Sequence, residues 1–267
     1  MAIPKVLKSK SGSAKIYVLL CLLIISLAFN GILSYILLYE DQRHIEGTPT
    51  DAGDRHGPMY LHGVASIYIV GVVGGEEYRG LAMKLEGALI EGGGRVYIST
   101  TPKIGIELQE AAEVAFKAAQ KFTNIDASDL DLMLTIIGNE SVYVVDGPSA
   151  GAAVAVLVSS LLLNMPIRSD VVITGTISEN GVIGKVGGIL YKAEAAARAG
   201  AKIFLVPLGQ SVDTIYVISE RRVGPFTFRY YRPQVVSVED YLSSMGYNID
   251  IIEVSTLKEA FRYFTSS

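Results

Sequence analysis

The chain has one cysteine, Cys21, and three histidines, His44, His56 and His62, among its 267 residues. A single cysteine excludes an intrachain disulfide. All three histidines fall within the first 62 residues, so histidine chemistry is scarce over the rest of the chain. Positive charge is not in excess either. With 23 Lys and Arg against 27 Asp and Glu the net charge is −4, which argues against nucleic acid as the main partner. There is no internal repeat and no low-complexity segment. Half of the residues are apolar, enough for one large domain with an appendage.

Charge is missing altogether from Ile16 to Tyr39, a 24-residue run rich in Leu and Ile. That length spans a bilayer with some tilt. Tyr17, Tyr35 and Tyr39 lie near its ends, as interfacial aromatics do. Lys5, Lys8, Lys10 and Lys15 precede it, and Glu40 and Asp41 follow. The positive-inside rule then places the N-terminus in the cytoplasm and the body of the chain outside, as a single-pass cell-membrane protein. Two other readings are a cleaved signal peptide and a buried core helix. A signal peptide has a shorter apolar region, about 7–15 residues, and ends in an A-x-A-like site that is not found here. The expected organisation is a basic tail over 1–15, a transmembrane signal anchor over 16–39, a polar linker over 40–58, and a domain over 59–267.

From Val64 to Val73 apolar and polar residues alternate as in a strand. Gly74-Gly75 marks a turn, Gly80 to Ile90 a second strand, Gly92-Gly93-Gly94 another turn, and Arg95 to Ser99 a third strand. Ile106 to Phe122 has helical spacing, with Ala111, Val114, Ala115 and Ala118 on one face. Strands are expected over Asp131–Ile137 and Val142–Val145, and helices and strands then alternate to about Pro207. The fold class is α+β, with mixed sheets covered by helices.

The most informative stretch is Asp146-Gly147-Pro148-Ser149-Ala150-Gly151. It follows a strand-like run and precedes a long apolar helix, Ala152 to Leu163. A hydroxyl is thereby placed at a helix N-terminus, where unpaired N–H groups and the helix dipole favour developing negative charge. Such a place suits a nucleophile, and the backbone N–H groups of Ser149 and Ala150 suit an oxyanion hole. The pattern also matches the G-x-S-x-G elbow of α/β-hydrolases. That family needs a histidine after the serine, and none follows. The order His, Asp, Ser is not excluded by order alone, but His44 and His56 lie in the polar linker. Taken alone, Ser149 reads as a helix cap.

Lysine is the remaining base, since Ser-Lys pairs follow the same logic. Thr174-Gly175-Thr176 ends an apolar strand, Val171 to Ile173, and Gly187-Gly188-Ile189-Leu190-Tyr191-Lys192 leads into a second helix, Ala193 to Ala199. A lysine in a first helical turn among apolar neighbours has its pKa lowered by its cationic surroundings and by burial. Bringing it from about 10.4 to about 7 costs roughly 4–5 kcal/mol. Lys185 is a second possible base, on a hairpin that faces solvent.

The block Asp146 to Gly151, then Ile173-Thr174-Gly175, then Gly187-Gly188 through Lys192 to Gly200, then a strand ending Leu205-Val206-Pro207, resembles the proteolytic domain of Lon proteases (family S16). In character it is similar to archaeal Lon-like proteins. Lys192 follows Ser149 by 43 positions and Thr174 follows it by 25, as the catalytic lysine and the threonine that orients it do in that family. The resemblance covers roughly residues 60 to 210 and resumes weakly over Ile252 to Phe264. It implies a Ser-Lys dyad of Ser149 and Lys192, supported by Thr174, with Asp146 shaping the nucleophile loop. It also implies polypeptide substrates and a homo-oligomer, a hexameric ring in that family.

Three features depart from the family. No ATPase module is present, and the nearest match to a phosphate loop, Gly184-Lys185, is followed by Val186 rather than Ser or Thr. The stretch 210–250 is longer than the family's connection and is rich in arginine and aromatic residues, as in an extra hairpin or an oligomer contact. The upstream histidines of the family have no counterpart in Leu134-Thr135-Ile136-Ile137. The expected protein is therefore a membrane-anchored, ATP-independent serine endopeptidase that needs no cofactor and no metal. The competing expectations are a non-catalytic binding or assembly module on the same fold, and a protease confined to itself or to one partner.

Overall fold

Alternating apolar side chains build the first layer. In a computed structural model that describes residues 61–74, 78–101, 103–138 and 144–266, strand β1 (Leu61–Val73) pairs antiparallel with β2 (Arg79–Glu91). Ile67 lies opposite Leu85 and Ile69 opposite Met83, all four buried. Next come β3 (Val96–Thr100), β4 (Lys103–Ile104), helix α1 (Ile106–Thr123), β5 (Leu130–Ile137) and β6 (Val144–Val145). The main sheet has the order β1-β2-β5-β3. Its last pair is parallel and the others antiparallel, so the sheet is mixed. Asp131 fixes the triple-glycine turn: its Oδ1 accepts from the N–H groups of Gly93 and Arg95, each at 2.8 Å.

A 3-10 turn, Pro148–Ala150, runs into α2 (Gly151–Leu163). Every residue from Gly151 to Leu161 is buried. A helix apolar all round has to be enclosed on all sides, and α2 lies against α1, the main sheet and the C-terminal helix. The chain continues through β7 (Val171–Ile173), β8 (Thr176–Ile177), β9 (Ile183–Gly184), α3 (Ile189–Arg198), β10 (Ile203–Pro207), β11 (Val212–Val223), β12 (Phe226–Ser237), α4 (Val238–Ser244), β13 (Asp250–Val254) and α5 (Leu257–Thr265). A second sheet, β13-β10-β7, is parallel throughout. Its connections carry α3 and α4, as parallel pairing requires. One core cluster lies between the main sheet and helices α1, α2 and α5. The other gathers α3, α4 and β10.

The sequence reading and the structure differ in three places. Helix α3 begins at Ile189, four residues earlier than expected, because Gly188 takes the left-handed conformation (φ 69°) as its N-cap. The separate parallel sheet was not anticipated, since short buried strands show no period that names their partners. Of the stretch 210–250, only the hairpin β11–β12 stands apart; α4 returns to the core through Val238 and Leu242. The described residues all belong to one compact unit, Pro58–Ser267. Among them no helix is long and apolar enough to cross a membrane. The basic tail 1–15, the expected anchor 16–39 and the linker 40–58 lie outside the described residues.

Candidate active site

Ser149 sits in the second position of the 3-10 turn, half-buried. The turn starts at Pro148, whose missing N–H is harmless at a helix start. The first N–H groups of a helix have no acceptor inside it, and those of Ser149 and Ala150 belong to this opening. The turn is tied to the end of β7. Gly175 N donates to the Ser149 carbonyl oxygen at 3.0 Å, and Ala152 N donates to the Gly175 carbonyl oxygen at 3.0 Å. The Thr174 hydroxyl donates to the same Ser149 oxygen at 3.4 Å. Thr174 is 1% exposed and is held in turn by its N–H bond to the Leu205 carbonyl at 3.1 Å. It thus stands behind the serine backbone.

Asp146 is exposed and reaches across to another element. Its Oδ1 accepts from Leu108 N at 3.2 Å, in the first turn of α1. The N-cap residue of α1 is Gly105, which has no side chain to cap with. Asp146 therefore supplies the cap from the loop that leads to Ser149.

Lys192 lies in the first turns of α3 and is only 5% exposed. Burial pushes its amine down to about 8. The sequence reading expected both burial and cationic surroundings to act; burial is the cause found. Lys192 and Ser149 open on one cavity of about 400 Å³, whose wall also includes Asp146, Gly71, Val72, Tyr78, Gly187, Gly188 and Tyr191. The alternative base, Lys185, is exposed and does not line this cavity. His44 and His56 lie outside the described residues.

Several wall residues had no clear signal in the sequence. Tyr78 and Tyr191 bring their rings to 6.2 Å at the cavity edge. Tyr191 adjoins Lys192 in sequence, but Tyr78 comes from before β2 and only the fold brings it close. Gln210 fixes the segment that leads to Gly187-Gly188. Its Nε2 donates to the Val186 carbonyl oxygen at 2.7 Å and its Oε1 accepts from Val186 N at 3.0 Å.

A hydroxyl at a helix start, beside the first N–H groups of that helix, and a buried amine with a lowered pKa lining the same cavity can perform nucleophilic acyl transfer. Comparison with known proteins points the same way. Residues 59–222 match the Lon protease (S16) C-terminal proteolytic domain. The Lon protease of Neorickettsia sennetsu is 32% identical over 154 residues, covering 54% of this chain and 18% of that protein. The Lon protease of Rhizobium meliloti is 30% identical over 184 residues, covering 64% and 22%. Lon protease 1 of Hydrogenovibrio crunogenus is 40% identical over 79 residues, covering 30% and 10%. The chain spans about a fifth or less of the length of these curated relatives.

Proposed function

The chain belongs to the Lon protease (S16) C-terminal proteolytic domain family, and from that premise we propose that it is a serine endopeptidase whose catalytic dyad is Ser149 and Lys192. The observation that carries this reading is the shared cavity: the buried Lys192, lowered to about 8, opens on the space that Ser149 lines. Neutral Lys192 takes the proton from Ser149 Oγ as Oγ attacks the scissile carbonyl carbon. The N–H groups of Ser149 and Ala150 receive the oxyanion of the tetrahedral intermediate. The Lys192 ammonium then gives its proton to the leaving amine. Water, deprotonated by the same amine, hydrolyses the acyl-enzyme.

Thr174 supports both members of the dyad. Its hydroxyl proton is directed at the Ser149 carbonyl, which leaves its oxygen lone pairs to accept from the ammonium of Lys192. Asp146 holds the nucleophile loop against α1. No step calls for a nucleotide, so cleavage proceeds without ATP. The substrates are unfolded or extended polypeptides, or peptides near a membrane. The chain is held there by residues 16–39, with the N-terminus cytoplasmic and the domain outside, and its copies assemble as a ring.

The test is hydrolysis of casein or a fluorogenic peptide by residues 58–267 without nucleotide. Ser149→Ala is expected to lower the rate by at least about a thousandfold, since loss of a catalytic serine removes the covalent route. Unchanged hydrolysis in Ser149→Ala would remove the serine from the mechanism. Absence of cleavage in the wild type, alone and with the full chain in vesicles, would favour a non-catalytic module.

A further inference from the structure

The hairpin β11–β12 is anchored at its base and uncovered along its length. At the base, Ser211 N donates to Glu253 Oε1 at 2.9 Å, and Gln210 is fixed to Val186. From Glu220 to Val235 every residue is exposed. The pair forms a sheet of its own, so each strand has an unpaired edge among the described residues.

Polarity changes along the arm, with Phe228 (56% exposed) and Ile218 (62% exposed) interspersed among its arginines and tyrosines. The end is apolar: Val223, Gly224, Pro225 and Phe226, with Val223 51% and Phe226 67% exposed. Behind it come Arg221, Arg222 and Arg229. Behind these come Tyr230 and Tyr231. The register places Arg221 opposite Phe228 and Arg222 opposite Thr227, so the two arginines point to opposite faces. Tyr230 and Tyr231, being adjacent in a strand, also divide between the faces. Arg229 pairs with Glu220, whereas Arg221, Arg222 and Arg232 make no ion pair among the described residues. The hairpin carries four arginines against Asp213 and Glu220, in a chain of net charge −4.

We infer that this arm is a membrane-docking element that enters an anionic lipid surface end-on, with Val223 and Phe226 among the acyl chains and Arg221 and Arg222 at the headgroup phosphates. The argument is the match between the gradient along the arm and the gradient across a lipid interface. Apolar groups go deepest, guanidinium groups pair with phosphate, and tyrosines sit at the headgroup level. An arm inserted end-on is surrounded, so both faces need the same order of arginine and then tyrosine, as found here. The choice of lipid over a second copy also rests on the reading of Ile16–Tyr39 as an anchor, which brings the domain to a bilayer.

The chain has no tryptophan, so Phe226→Trp creates a single fluorescent reporter at the tip. Residues 58–267 form a compact unit of their own and lack the apolar run, so binding would read the arm alone. The measurement is made in Ser149→Ala, which separates it from any failure of the catalytic proposal. With vesicles of phosphatidylglycerol and phosphatidylcholine, the expected result is a blue shift of the emission and its quenching by brominated acyl chains. Pure phosphatidylcholine is expected to give weak binding. Arg221→Glu and Arg222→Glu should each weaken the anionic-vesicle affinity by roughly fivefold or more. With Ser149 intact, the same two substitutions should leave hydrolysis of a soluble peptide unchanged, which certifies the fold. No shift with anionic vesicles would overturn the inference. So would a blue shift that depends on protein concentration without lipid, since a second copy would then be the occupant. Failure of the anchor reading shows separately, as full-length chain found in the soluble fraction.

Discussion

The role proposed for Lys192 rests on where it is buried. Its folded pKa of about 8 is below the unfolded value of about 10.4. Between those values the unfolded chain binds more protons, so stability rises with pH across that window. Below about 8 the penalty of charging a buried amine is present in full, on the order of 3 kcal/mol as an upper figure. Lys192→Met is therefore expected to abolish cleavage while stabilising the domain at neutral pH, by about 1–3 kcal/mol in denaturant unfolding. Unchanged stability in that variant would place the amine in solvent. The rate carries the same signature. With the neutral amine as the proposed base, kcat/KM for a peptide should rise with pH and level off above about 8. Lys192 became a candidate in the sequence through the family resemblance, in which it follows Ser149 by 43 positions. Tyr78 was not legible, because nothing local records which loop will fold over a cavity.

At the scale of elements, two helices hold the two halves of the site. Asp146 caps α1, so Asp146→Ala should lose about 1 kcal/mol of stability. Gly105→Ala should do more harm, since a Cβ there would lie 1.9 Å from the Asp146 Cγ. That methyl would displace the cap and shift the Ser149 loop with it. Thermal unfolding and casein cleavage, measured together, check both. An activity unaffected by Gly105→Ala would show that the loop tolerates loss of its anchor. On the lysine side, β2 passes so close to α3 that a Cβ on Gly80 would lie 1.7 Å from the Tyr191 carbonyl oxygen. Gly80→Ala should push α3 away from the sheet, costing about 1–3 kcal/mol and moving Lys192. Helix α1 was legible from its period, and the sequence placed it to within a residue. The start of α3 was not, because it depends on the left-handed backbone of Gly188 rather than on apolar spacing.

The described residues combine a mixed four-stranded sheet, a parallel three-stranded sheet and three two-stranded pairs, one of them the exposed arm. The α+β class followed from alternating patterns, but the pairing of β10 with both β7 and β13 joins residues far apart in sequence. No local signal encodes such partners. The arm was legible as an aromatic and arginine-rich stretch, and only the structure shows that Val238 and Leu242 beyond it are core. The proposed orientation has its own test. A cysteine in place of Gly53, with Cys21→Ser, should react with an impermeant maleimide in intact cells. Reaction only after lysis would put the domain in the cytoplasm.

The central claim is that Ser149 is activated by the buried amine of Lys192. It is tested most directly by mass spectrometry of the adduct that a fluorophosphonate forms on residues 58–267, measured on either side of pH 8. The account expects the adduct on Ser149, faster above about 8 than below it, and absent in Lys192→Met. An adduct on Ser149 that forms equally fast in Lys192→Met, or with no dependence on pH, would contradict it.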